Sequence, residues 1–89
     1  MKADQIVRVA TKYEDLLANN NIIAEKQDLS SSRLTSTQRL SHSKWMCKEI
    51  QVFVDNGRTD KAERWICFVQ GVLWCEGLRP IDDMRNDNR

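Results

Sequence analysis

Turn formers are scarce in this chain: three glycines and one proline serve 89 residues. A sheet-rich fold needs a turn signal every eight to twelve residues or so, and this sequence cannot supply them. Metal ligands are equally thin. There is one histidine, His42, and there are three cysteines, Cys47, Cys67 and Cys75, at spacings of 20 and 8 with no C-x-x-C pair. A structural zinc site wants four ligands at close spacing, so no metal is expected. The acids of "DDMRND" lack the spacing of a calcium loop. No Gly-rich phosphate loop, H-E-x-x-H or G-x-S-x-G is present, so neither a cofactor nor an enzyme of known class is expected.

Charge of one sign is missing too. Fourteen basic and thirteen acidic side chains leave a formal net charge of +1, too little for a global field toward nucleic acid or membrane. No apolar run approaches the ~18 residues of a membrane span. The opening "MKADQIVRVATKYEDLL" is periodic and charged throughout, unlike a secretory leader. The expectation is a cytoplasmic protein with reduced thiols, each cysteine acting as a buried packing residue.

What remains is helical period. Ile6, Val9, Ala10, Tyr13, Leu16 and Leu17 form one stripe of a 3.6-residue repeat, predicting a helix over 3–19 that ends at "NNN". Residues 20–33 read as loop or irregular chain, where Ile22, Ile23 and Leu29 could tuck against the body. A second helix is predicted over about 35–55, starting somewhere between Ser31 and Thr37, with Trp45, Met46, Ile50, Phe53 and Val54 as its core stripe. "DNGR" stops it. Thr59 or Asp60 should cap a third helix over 59–76, with Gly77 just beyond its end. Pro80 then opens a short helix over about 80–87, with Asp82 and Asp83 in its first turn. The expected fold is one all-α domain spanning 1–89: a three-helix bundle with a short C-terminal helix.

The third helix carries the most unusual stretch, "RWICFVQGVLWCEG" (64–77). Ala62, Trp65, Ile66, Val69, Val72, Leu73 and Glu76 share one broad side, while Cys67, Phe68, Gly71, Trp74 and Cys75 occupy much of the other. A helix apolar all round must be covered all round. That suggests a central helix using the stripes of both neighbours, with self-association burying the rest; a two-fold dimer is the default. Trp45, Trp65, Phe68, Gln70, Gly71 and Trp74 are the candidate packing or oligomer-interface residues. Gln70, an amide among apolar residues, reads as a register-setting hydrogen-bonding group. Gly71 costs about 1 kcal/mol against alanine in a helix interior, which points to close approach of another helix or a large side chain.

Exposed candidates for partner contact are Arg58, Lys61 and Arg64 at the second turn, and Asp82, Arg85 and Arg89 in the tail. The tail is either docked through Ile81 and Met84 or free. The helix–turn–helix outline also raises a nucleic-acid-binding regulator using the basic turn. Its third helix, however, is too apolar to serve as a recognition helix. His42, at the edge of the second apolar stripe, reads as a hydrogen-bonding structural residue. A virion assembly factor and a small-ligand sponge holding a nucleotide between subunits are further readings.

From His42 onward the chain reads H-x-x-W-M, then G-R-x-x-K-A-x-R-W-x-x-F-x-Q-G-x-L-W, then I-D-D-M-R-x-x-N-R. This pattern resembles a group of small accessory proteins encoded by tailed bacteriophages. The matching positions include His42, Trp45, Met46, Gly57, Arg58, Lys61, Ala62, Arg64, Trp65, Phe68, Gln70, Gly71, Leu73, Trp74, Gly77, Asp82, Met84, Asn88 and Arg89, and the pattern spans a little over half the chain. The resemblance implies a phage origin and action inside a bacterial host cell, and it carries no activity with it. The expected function is a non-catalytic early accessory protein that binds a host or defence protein in the host cytoplasm and acts as an inhibitor by occlusion.

Overall fold

A computed structural model describes residues 1–28, 30 and 32–89, and its described residues are all helix and connection. Helix α1 spans Ala3–Asn19 and buries Ile6, Val9, Ala10, Tyr13 and Leu17, the stripe that its period dictates. It stops where Asn21 takes φ of 61°, a left-handed value that asparagine tolerates. The Ile22 N–H then closes the turn onto the Leu17 carbonyl at 3.0 Å.

The connection after α1 lies along α2 instead of looping away. The Glu25 N–H donates to the Ser41 carbonyl at 3.1 Å, and Lys44 Nζ reaches the Ile22 carbonyl at 2.9 Å. Ile22 packs on the core, whereas Ile23 is 76% exposed. The expectation that both tuck in is therefore corrected: a strap bonded by its backbone offers only one side chain of an adjacent pair to the core. Leu29 and Ser31 lie outside the described residues.

Helix α2 spans Ser36–Asp55 and is opened by a reciprocal capping box. The Gln38 N–H donates to Thr35 Oγ1 at 3.1 Å, and the Thr35 N–H donates to Gln38 Oε1 at 2.8 Å. Its deepest residues are Ser43, Met46, Cys47 and Ile50, and Leu40, Ser41 and His42 are buried beside them. The expected stripe is thus rotated: Trp45, Phe53 and Val54 are half-buried at its flank. This happens because α2, not α3, is the central helix. It packs along both α1 and α3, while α1 and α3 meet over a shorter stretch.

Helix α3 spans Thr59–Cys75. Gly57, at φ of 76°, makes the turn before it, and the Arg58 N–H bonds the Phe53 carbonyl at 2.7 Å. Arg58 takes the N-cap position without a side-chain cap bond, so neither Thr59 nor Asp60 is the cap; both are already helical. Gly77, at φ of 72°, ends the helix, with the Leu78 N–H on the Leu73 carbonyl at 2.9 Å. Helix α4 spans Ile81–Asp87, and Pro80 is its N-cap rather than its first helical residue. Among the described residues no helix is long and apolar enough to cross a membrane.

Candidate functional site

Two surfaces of α3 matter, one turned inward and one outward. Inward, the tail is clamped by a polar cluster. Asp87, with a side chain 2% exposed, accepts from Arg79 Nε and Nη2 at 2.7 Å each, from Lys12 Nζ at 2.9 Å and from Tyr13 Oη at 2.7 Å. Gln70 Nε2 donates to Tyr13 Oη at 2.9 Å and to Asn88 Oδ1 at 2.7 Å. Asn88 Nδ2 returns a bond to Gln70 Oε1 at 3.3 Å. Burial opposes ionisation of Asp87, but the bonds from Arg79, Lys12 and Tyr13 outweigh it and lower its carboxyl pKa to about 2. Burial also pushes the Tyr13 phenol well above its usual range, so it stays a neutral donor to Asp87.

This cluster holds α1, α3 and α4 together. The tail docks through Met84 and Asp87, while Ile81 is exposed. Sequence reasoning missed Lys12, Arg79, Asp87 and the polar end of Tyr13, and it matched Asn88 only as part of a pattern. A signal was there: Met84, Asp87 and Asn88 lie at i, i+3 and i+4, one face of a helix.

Outward, α3 presents Arg64, Cys67, Phe68, Gly71, Trp74 and Cys75 to solvent. Phe68 is 59% exposed and Trp74 53%. An open groove of about 720 Å³ runs beside them, flanked by Arg39 and Glu76. A second of about 320 Å³, between His42, Met46, Trp65 and Phe68, continues along the α2–α3 junction. Cys67 and Cys75 are exposed, correcting the expectation of three buried thiols; only Cys47 is buried. Burial, with Glu14 nearby, pushes the Cys47 thiol up to about 12. The helix is indeed apolar all round, and this chain covers one side of it.

The six candidate interface residues therefore separate. Trp65 packs edge-on against Phe53 at 4.8 Å and tilted against Trp45 at 6.0 Å, so Trp45 and Trp65 are spent within the α2–α3 junction. Gln70 belongs to the inner cluster. Phe68, Gly71 and Trp74 face outward. Among the described residues a Cβ at Gly71 would meet nothing within 4 Å, so none of them is the close neighbour expected there.

The candidate contact residues fall into two groups, one at the start of α3 and one on the C-terminal tail. Arg58 and Arg64 both pair with Asp60, at 3.3 and 3.4 Å. Lys61 Nζ lies over the Phe53 ring at 4.6 Å and the Trp65 ring at 5.6 Å. Asp82 and Arg85 form an exposed pair at 3.4 Å, and Arg89 reaches Asn86 at 3.1 Å. The basic turn is thus partly neutralised by Asp60 rather than standing as bare charge. His42 is buried and accepts the Gln27 N–H at Nδ1, 3.1 Å. Burial and the nearby Lys26 lower its pKa. Among the described residues no group of three or more His, Cys, Asp or Glu side chains could hold a metal.

No family model matches this chain, and no match was found among curated proteins or solved structures.

Proposed function

We propose that this chain is a non-catalytic accessory protein that works by protein–protein association, with the outer side of α3 as its working surface. The carrying observation is that Phe68 and Trp74 stand 59% and 53% exposed on one helix face. Large aromatics flanked by arginines are the residue types that dominate binding energy. One such face costs solubility unless something covers it.

Two kinds of cover fit. Self-association would bury the apolar middle of the face. A host or defence protein inside a bacterial cell would then meet the charged groups around it, Arg58, Lys61 and Arg64 at the start of α3 and Asp82, Arg85 and Arg89 on the tail. The phage setting rests on the residue pattern His42 to Arg89, and the inhibitory effect on occlusion by the exposed aromatics and arginines. Against the nucleic-acid alternative stands Asp60, which would have to be shed or repelled before Arg58 and Arg64 met phosphates.

The test is capture from nuclease-treated bacterial lysate over a salt series, with the wild-type chain beside a variant carrying Arg64→Glu and Arg85→Glu. One protein recovered in stoichiometric amount by the wild type and lost by the variant supports the reading. Nucleic acid recovered alone, and lost steeply with salt, overturns it.

A further inference from the structure

Resting on the reading of α3 as an association surface, we infer that the occupant of its outer face is a second copy of this chain, crossing antiparallel with the two-fold axis at Gly71. The sequence of the face is the first reason. Read outward from Gly71, Phe68 and Trp74 stand three residues away on either side, and Cys67 and Cys75 stand four away. The pattern C-F-x-x-G-x-x-W-C has the same chemistry in both directions. A two-fold interface demands that property, because one patch must complement itself. An unrelated partner imposes no such symmetry.

The space at the centre is the second reason. Gly71 sits mid-helix, opposite the buried side of α3, and a Cβ there would meet nothing within 4 Å. Among the described residues no contact calls for glycine. A crossing helix would, since backbones approach closely only where side chains are absent. Phe68 and Trp74 would then interdigitate with the small Cys67 and Cys75 positions of the other copy.

Charge is the third reason. Before this stretch Arg58, Lys61 and Arg64 outnumber Asp60, with which both arginines pair, and after it the exposed acids Asp82 and Asp83 outnumber Arg85. An antiparallel pair sets the small cationic excess against the small acidic one, twice. A parallel pair would set like on like.

The register gives a direct test on purified protein. Antiparallel pairing about Gly71 brings Cys67 of one copy level with Cys75 of the other. Identical cysteines lie on opposite sides of the axis, about 12 Å apart from the helical rise, too far to bridge. Mild oxidation with diamide should therefore cross-link the wild type but neither Cys67→Ser nor Cys75→Ser alone. Mixing the two variants should restore a cross-linked heterodimer. In sedimentation velocity under reducing conditions the wild type should run at twice the chain mass. Gly71→Glu, which sets two glutamates on the axis, should weaken self-association by roughly 100-fold, with an unchanged helical circular dichroism spectrum.

A wild type that sediments as a monomer overturns the inference. Cross-linking within Cys67→Ser alone or Cys75→Ser alone overturns the antiparallel register. Val52→Glu, at an exposed position on α2, should leave the dimer intact; its loss would place the seam elsewhere. A monomer that still captures one host protein would refute the seam and keep the association reading. A cross-linked dimer that captures nothing would do the reverse.

Discussion

Replacing Asp87 by asparagine should cost about 3 kcal/mol at neutral pH, and the same loss should be reachable by acid. The carboxylate is almost wholly buried and takes bonds from Arg79, Lys12 and Tyr13. Breaking a buried ion pair from one side costs about 3–5 kcal/mol. The lower end applies because the Lys12 side chain is 48% exposed and can return to water. The substituted amide would keep the shape but offer Arg79 an uncharged acceptor at best. For a chain of 89 residues, with total stability of roughly 4–13 kcal/mol, this is a large share.

Acid gives the independent check. The folded carboxyl titrates at about 2 against 3.8 for an unperturbed one. A depressed carboxyl contributes stability that is fully present above the unfolded value and lost as pH falls through the folded value. The difference corresponds to about 2 kcal/mol at pH 7, with about half remaining near pH 3. The gap between wild type and Asp87→Asn should accordingly shrink from about 3 kcal/mol to about 1 as pH drops toward 2. Urea unfolding followed by tryptophan fluorescence measures it. Dilute protein, or the Gly71→Glu background, keeps self-association out of the balance. A gap that stays flat from pH 6 to acid, or one below about 1 kcal/mol at pH 7, would mean that desolvation cancels the bonds and that Asp87 does not clamp the tail.

Other perturbations are sharper in sign than in size. Ser43 Oγ is buried with no hydrogen-bond partner among the described residues, so Ser43→Ala should raise stability by about 1 kcal/mol in the same urea assay. Cys47 should stay inert to a colorimetric thiol reagent until unfolding, while Cys67 and Cys75 react quickly in Gly71→Glu and more slowly in the self-associated wild type. His42 is held neutral by burial, so its NMR titration should fall below 6.5. Because the unfolded chain takes up the proton first, stability should decline as pH drops from about 6.5 toward the folded value. The Gln27 amide should lose protection over the same range. Gln70→Leu should cost about 1 kcal/mol, by leaving Tyr13 and Asn88 short of a bond, and broaden the amide spectrum of α3 and α4.

The helices were legible because each has a physical start and stop written locally. The 3.6-residue stripe of α1, the Thr35–Gln38 box, Gly57 and Gly77 are all readable without tertiary information. What was hidden depends on the rest of the fold. A helix apolar on every side has no preferred inward face, so the sequence could not say that Ile66 would be buried and Phe68 left out. A tail rich in charge reads as solvated, and only the approach of Lys12, Tyr13 and Arg79 turns Asp87 into an anchor. Two of the three cysteines were misplaced for the same reason. The strap after α1 was opaque because its own backbone N–H groups hold it, Glu25 on the Ser41 carbonyl and Gln27 on the His42 ring, and a backbone donor leaves no trace in the strap's residue types.

The inner cluster and the outer face are two consequences of one choice. Hydrophobic burial is non-directional, and for α3 it hardly distinguishes one rotation about the helix axis from another. Gln70 does distinguish them. Its amide meets Tyr13 and Asn88 in the observed rotation, and a turn of one residue, about 100°, would swing it away and leave both partners short of a bond. Gly71 follows Gln70 directly, so fixing the one inward aims the other outward, with Phe68 and Trp74 on either side. The tail closes the same constraint, since Asn88 is held in place by the bonds to its neighbour Asp87. The charged tail thus helps to decide which side of α3 is left exposed. Weakening the clamp should therefore disturb association at a surface that none of its residues touches.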